Sequence, residues 1–444
     1  MTSALASKFE QEMACVYADT PLPSKIAVAV SGGSDSMALC LLAGKWCAER
    51  NVEILALTVD HGLRSEAAGE AALVGQWLAS RNIDHQVLTR AGAAPQSGIQ
   101  QFARNSRYKL LLDKCNEVGA NSLLIGHQLE DQLETFLMRI SKGSALQGLS
   151  VMRAKGSRAG INLVRPLLGI HRAHLREYLI AENQDWIEDP SNESTLYTRT
   201  ELGRLLQSMV SLPGSSSTAI ELSVNRLQRA DEALGQITDL MLADKAHTDP
   251  LGYVQFPQSF FENVPAEINV RFLNCVFKTV RGKSDPIKLI HIEQLLGRLT
   301  RGEVRTSLTL AGCQLRPFKE NWILCREPGR SALPKTPLKG AGEMTWDDRF
   351  VVMDHGSDLE REAAFEFNVG PLGDDGWSQI TESALPDYIK KLPSMVRKNL
   401  PAIWNNSEIV DMPLFLGQKA SMGIAKGRFE MVFIPTIKRE KQGF

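Results

Sequence analysis

The join between residues 26 and 42, IAVAVSGGSDSMALCLL, constrains this chain more than any other stretch. Residues 26–30 are apolar at every position, which suits a strand covered on both faces. From residue 36 onward the pattern turns helical. Between the two lie Ser31, Gly32, Gly33, Ser34, Asp35 and Ser36. The first turn of a helix has backbone N–H groups without intrahelical partners, so a glycine-bent loop feeding it reads as an anion cradle. It matches neither G-x-x-x-x-G-K-[ST] nor G-x-G-x-x-G. Where a lysine would stand, this loop has Asp35, a carboxylate that phosphates would repel unless a cation lay between. A magnesium ion at Asp35 is therefore expected. The plainer alternative makes Asp35 a helix N-cap.

The surrounding pattern agrees with such a join. Strand-like runs at 26–30, 52–59, 85–89 and 122–126 alternate with helical segments at 36–50, 67–81 and 99–118. This β-α-β-α order predicts an α/β fold with an open, doubly wound, mainly parallel sheet. Ligands on such sheets sit beyond the carboxyl ends of the strands. A chain of 444 residues exceeds one core and predicts two or three domains. Breaker-rich stretches, SLPGSSSTA at 211–219 and EPGRSALPKTPLKGAG at 327–342, suggest boundaries. The expected domains are 1–212, then a helical domain at 213–330, then a smaller mixed α/β domain at 331–444.

Apolar residues at 43% and charged residues at 23% describe an ordinary globular protein. A net charge of −1 excludes a uniformly basic coat but not a local basic groove. Seven scattered cysteines with no C-x-x-C pair suit reduced thiols and offer no zinc or iron–sulfur site. The first twenty residues hold acids and no long apolar core, and no apolar run is long enough for a bilayer span. A cytoplasmic protein away from membranes is expected.

The loop resembles the PP-loop of the ATP pyrophosphatases, which hold the pyrophosphate half of ATP and break its α–β bond. Further stretches narrow the likeness: VDHGLR at 59–64, ARNSRYK at 103–109, GHQLEDQLET at 126–135, RPLL at 165–168, WIEDPSN at 186–192 and YTR at 197–199. Together, over about the first 200 residues, they are similar to the tRNA(Ile)-lysidine synthetases. In GHQLEDQLET, Asp131 and Glu134 stand three apart and share one helical face, a carboxylate pair suited to a cationic amine. A solvated helix face is the competing reading. ARNSRYK likewise puts Arg104 and Arg107 on one face.

The resemblance implies ATP bound at 31–36, magnesium at Asp35, and free lysine recognised by Asp131 and Glu134. It places His127, Arg107 and Lys109 near the nucleotide and the reacting base, and Arg199 near tRNA or the adenylated intermediate. Asp189 and Asn192 read as turn formers. The implied reaction adenylates the wobble cytidine of the CAU-anticodon isoleucine tRNA, then joins lysine to it, releasing AMP and pyrophosphate. The domains at 213–330 and 331–444 would bind the tRNA, and a homodimer is compatible with the pattern. Departures from the family are Lys142 and Ala145 in SKGSALQGLS, Ser194 after DPSN, and TELGR after Arg199, which leaves Arg204 displaced. The rivals are a PP-loop tRNA thiolase, which needs a reactive cysteine, a glutamine-fed amidotransferase, and a non-catalytic tRNA-binding protein. Cys115, among leucines, reads as core.

Overall fold

In the computed structural model the described residues are 2–60, 67–90, 99–188, 196–211, 216–283, 286–327, 333–338, 342–356, 367–380, 387–413 and 428–434. The chain divides into two compact units, Met1–Glu232 and Ala233–Arg439.

The first unit is built on one six-stranded sheet. Its strands are β1 (Lys25–Ala29), β2 (Glu53–Asp60), β3 (Asp84–Thr89), β4 (Ser122–Leu124), β5 (Lys155–Arg158) and β6 (Ile161–Val164), in the order β3-β2-β1-β4-β6-β5. All neighbours run parallel except the β5–β6 hairpin at one edge. Helices α1 (Thr2–Val16), α2 (Ser34–Ala48), α3 (Ala67–Ala79), α4 (Ile99–Glu117), α5 (Leu129–Ser141), α6 (Leu146–Leu149), α7 (Arg172–Ala181) and α8 (Leu196–Val210) complete it.

The all-apolar character of β1 has a direct cause. Ile26 and Val28 face a core shared with α1, α2 and α7, while Ala27 faces a second core with Tyr108, Leu111, Leu112 and Cys115 of α4. Successive side chains on a strand point oppositely, so a sheet covered on both sides needs apolar residues at every position. Helix α2 is buried from Met37 through Ala43 without a break, as expected of a helix enclosed on all sides. At about 25 cal/mol per Å² of apolar surface removed from water, this double core is the main stabilising term of the unit.

Strand order places the reversal point between β1 and β4, whose chain neighbours leave in opposite directions across the sheet. The loops after β1 and β4 flank it. This is the crevice in which open α/β sheets bind ligands.

The 29-residue helix α9 (Ser217–Lys245) begins the region expected to be helical. That region also holds α10 (Ala266–Arg281) and α11 (Leu289–Thr300), packed on a five-stranded antiparallel sheet of order β7-β8-β11-β10-β9. Those strands are β7 (His247–Asp249), β8 (Tyr253–Pro257), β9 (Leu308–Leu310), β10 (Cys313–Phe318) and β11 (Asn321–Arg326). The helical expectation therefore missed a sheet. Its edge strands are only three residues long, too short for a period of two to register. The remainder forms two further antiparallel sheets, one of four strands and one of three. In the latter, Phe350–Asp354 pairs antiparallel with Phe429–Phe433. Among the described residues, no helix is long and apolar enough to cross a membrane.

Candidate active site

The loop after β1 is a tight turn held by its own hydroxyls. Ser36 Oγ donates to the Gly33 carbonyl at 2.9 Å and accepts from the Ser31 N–H at 3.1 Å. Gly32 has φ of +89°, a conformation that suits glycine. A Cβ there would stand 2.7 Å from Ile187 Cδ1 and 2.9 Å from Val74 Cγ2. The Ile187 N–H donates to the Gly32 carbonyl at 2.9 Å, so Ile187 braces the loop from behind. Gly33, not Asp35, is the N-cap of α2. Asp35 is free of the capping role and turns its carboxylate elsewhere.

That carboxylate meets Arg172, the first residue of α7. Arg172 Nε lies 3.3 Å from Asp35 Oδ2, and Nη2 lies 3.9 Å from Asp131 Oδ1. Ser34 Oγ donates to Asp35 Oδ1 at 3.1 Å. Burial pushes the Asp35 carboxyl above its usual pKa, Arg172 pulls it back, and Asp131 pushes it up again. Arg172 itself is held more firmly charged: desolvation works against the guanidinium, but Asp35, Asp131, Glu130 and Glu134 outweigh it. One guanidinium thus answers four carboxylates.

The first turns of three helices converge here, and the acids fix them to one another. Gln128 caps α5, and Asp131 returns a carboxylate oxygen to the Gln128 N–H at 3.1 Å, a closed capping box. Glu130 accepts from the Arg172 backbone N–H at 3.1 Å and pairs with His171 Nδ1 at 3.0 Å. His171 Nε2 reaches Ser217 Oγ of α9 at 3.3 Å. The middle of α5 is fixed as well. Buried Gln132 exchanges two hydrogen bonds of 3.1 Å with the Met152 backbone, and Gln228 of α9 donates to the Ser150 and Met152 carbonyls.

The other expected residues divide. Gly126 and His127 follow β4 directly, and His127 is half-buried. Arg107 falls in a separate basic group around Tyr108. Arg104 and Arg158 lie over that ring at 5.6 and 4.7 Å, and desolvation lowers the pKa values of Arg107 and Arg165. Lys109 is exposed and paired with Asp113 at 2.6 Å on its own helix, an ordinary i,i+4 surface pair. The side chain of Arg199 lies outside the described residues, as do residues 61–64 of VDHGLR, Asp189, Asn192 and Ser194. Arg172, Glu130 and His171 escaped sequence reading. The signal available was the basic run HRAHLR opening a helix just after RPLL.

Five of the seven thiols are buried. Cys40, Cys47, Cys115, Cys313 and Cys325 are buried, and desolvation raises each pKa, to about 12 for Cys40 and about 11 for Cys115.

A family model described as a PP-loop domain matches residues 5–209. A tRNA(Ile)-lysidine synthase of Ruegeria pomeroyi is 32% identical over 397 residues, covering 88% of this chain and 89% of that one. Its counterpart in Wolbachia pipientis is 32% identical, covering 74% and 76%, and that of Bradyrhizobium diazoefficiens 35%, covering 64% and 80%. A solved U34-tRNA thiolase from Methanococcus maripaludis aligns with 51% of this chain and 80% of its own at 18% identity and a TM-score of 0.44, too loose a likeness to carry any argument. The Ruegeria relative covers most of both chains at over 30% identity, so this chain belongs to the tRNA(Ile)-lysidine synthase family of PP-loop proteins.

Proposed function

We propose that the chain uses ATP to adenylate the wobble cytidine of the CAU-anticodon isoleucine tRNA and then joins free lysine to that base. The observation that carries this reading is the set of acids around Arg172 at the mouth of the PP-loop: Asp35 at 3.3 Å, Asp131 at 3.9 Å and Glu130 on its backbone N–H, with the charge of Glu134 acting on it too. A phosphate cradle alone explains no such excess of acid. A cationic co-substrate meeting a nucleotide does.

In the first step the cytidine carbonyl oxygen attacks the α-phosphorus, the α–β bridge breaks, and pyrophosphate leaves into the loop at 31–36. The N-terminus of α2 favours that anion. In the second, the lysine ε-amine attacks the ring carbon, the C–O bond breaks, and AMP leaves with the oxygen. An amine with a solution pKa near ~10.4 must lose a proton to attack. Asp131 or Glu134 is the candidate to hold the ammonium and take that proton.

Among the described residues no three of His, Cys, Asp and Glu group as a metal cage. Asp35 offers one hard carboxylate oxygen, which fits magnesium that arrives with the nucleotide and completes its shell from phosphates and water. When bound, magnesium would neutralise charge on the departing phosphates. Arg107, in the basic group around Tyr108, suits the flank of the nucleotide or base. Lys109 would reach them only after leaving Asp113. Residues 213–330 and 331–444 are proposed to bind the tRNA, and Arg199 to touch it.

Labelled lysine should enter CAU-anticodon isoleucine tRNA and not elongator methionine tRNA. Pyrophosphate release that ignores tRNA would end this reading.

A further inference from the structure

A strand covered on both faces should be apolar throughout, and the central run of β2 at 54–59 breaks that rule once. The exception is Thr58, which is 7% exposed. Valine would fill nearly the same space with no polar group to bury, so the hydroxyl calls for a reason. Thr58 Oγ1 donates to the Val30 carbonyl at 2.8 Å, and His85 Nε2 lies 2.8 Å from the same hydroxyl oxygen. A hydroxyl has one hydrogen and Val30 takes it, so the ring must be the donor and His85 carries its proton on Nε2. Burial lowers the pKa of His85 and so favours the neutral ring.

We infer that Thr58 and His85 are positioning residues that hold the PP-loop ready for the nucleotide, by fixing the peptide that joins Val30 to Ser31. The inference rests on reading 31–36 as the nucleotide cradle and on no later step of the reaction. That peptide is gripped at both ends. Its carbonyl takes the Thr58 hydroxyl from β2, and its N–H donates to Ser36 Oγ at 3.1 Å in the first turn of α2. A peptide unit is planar, so the two bonds together set its tilt. Gly32, the next turning point, has φ of +89°. Glycine takes either sign of φ with similar ease, so the direction of the turn must be imposed by its neighbours.

Helix α3 closes the arrangement. A Cβ on Gly75 would stand 3.1 Å from His85 Nδ1, so the helix backbone lies close against the ring and keeps it facing Thr58. The preceding residue, Val74, packs on Gly32 itself. Adjacent residues of one helix thus back both the loop and the histidine that steadies it.

The test measures binding of α,β-methylene-ATP to the whole chain by equilibrium dialysis, beside the melting temperature of each variant. Thr58→Val keeps the shape and removes the hydroxyl, and affinity should fall about 10-fold, as for a binding loop no longer pre-organised. Thr58→Ser should stay within about twofold of wild type. His85→Leu should lose about fivefold, and His85→Gln, whose amide N–H can stand in for Nε2–H, should recover most of it. The double variant Thr58→Val/His85→Leu should bind no more weakly than Thr58→Val alone, because the ring acts through the hydroxyl. If the pair only supports the fold, melting temperatures will drop while the folded protein binds the analogue as wild type does, or the two losses will add. Either result overturns the inference. Wild type that binds no analogue removes the reading of the loop, and the inference with it. Wild type and variants that show these ratios but transfer no lysine would end the proposed reaction and leave the inference supported.

Discussion

Gly126 and Asp35 are in backbone contact: a Cβ on Gly126 would stand 3.2 Å from the Asp35 carbonyl oxygen and 3.2 Å from Ser36 Cα. The end of β4 therefore sets the height of the PP-loop. Gly126→Ala must push the loop by a few tenths of an ångström, and α2 behind it is buried and unyielding. A rise of ~10-fold in KM for ATP is expected, since small misplacements at a reacting centre are costly. Lysine affinity measured without nucleotide should be unmoved. Steady-state pyrophosphate release against ATP concentration checks it.

Asp131 has two jobs that one substitution separates. Its carboxylate closes the capping box of α5, and it lies within the acid cluster. Asp131→Asn keeps an acceptor for the Gln128 N–H but removes the charge and the basicity. Lysine transfer should fall by ~100-fold or more while tRNA-dependent pyrophosphate release survives, given the usual worth of a positioned base. Loss of pyrophosphate release alone would reject the assignment.

Thiol chemistry separates this reading from the thiolase alternative. Cys15 is exposed, whereas Cys40, Cys47, Cys115, Cys313 and Cys325 are buried with raised pKa values. Iodoacetamide at pH ~8 should label Cys15 first, because the thiolate is the reactive form. The labelled protein should still incorporate lysine. Mass spectrometry of the peptides, beside the activity, decides the matter.

Asp411 gives a pH signature in the second unit. It is 1% exposed, its Oδ2 has no hydrogen-bond partner among the described residues, and burial pushes its pKa from 3.8 up to about 6. Between those values the folded chain holds a proton that the unfolded chain has lost. Stability therefore falls as pH rises through that window, and the cost is complete above about pH 6. The shift corresponds to about 3 kcal/mol. Asp411→Asn should raise the melting temperature at pH ~8 and leave it unchanged near pH ~4. Thermal melts at the two pH values check the sign.

The parts of this molecule readable from sequence are those in which neighbours in the chain are neighbours in space. The strand–loop–helix at 26–42, the alternation that follows, and Cys115 in the core all depend on local periodicity, and the structure has them. The pairing of Asp35 with Arg172 spans 137 positions, and no local pattern announces it. In the sequence Glu130 is one acid among several at the start of α5. Only the fold reveals that it caps α7 as well. The sheet β7-β8-β11-β10-β9 was hidden for another reason: two helices carry its apolar cover, and their stronger period dominates the segment.

Three helices begin at the acid cluster, and a helix beginning carries partial positive charge. Carboxylates at those starts are held by the dipoles as well as by Arg172, so the acids knit the mouth of the sheet together. Removing any one of these acids should therefore loosen the starts of α5 and α7 before the sheet behind them.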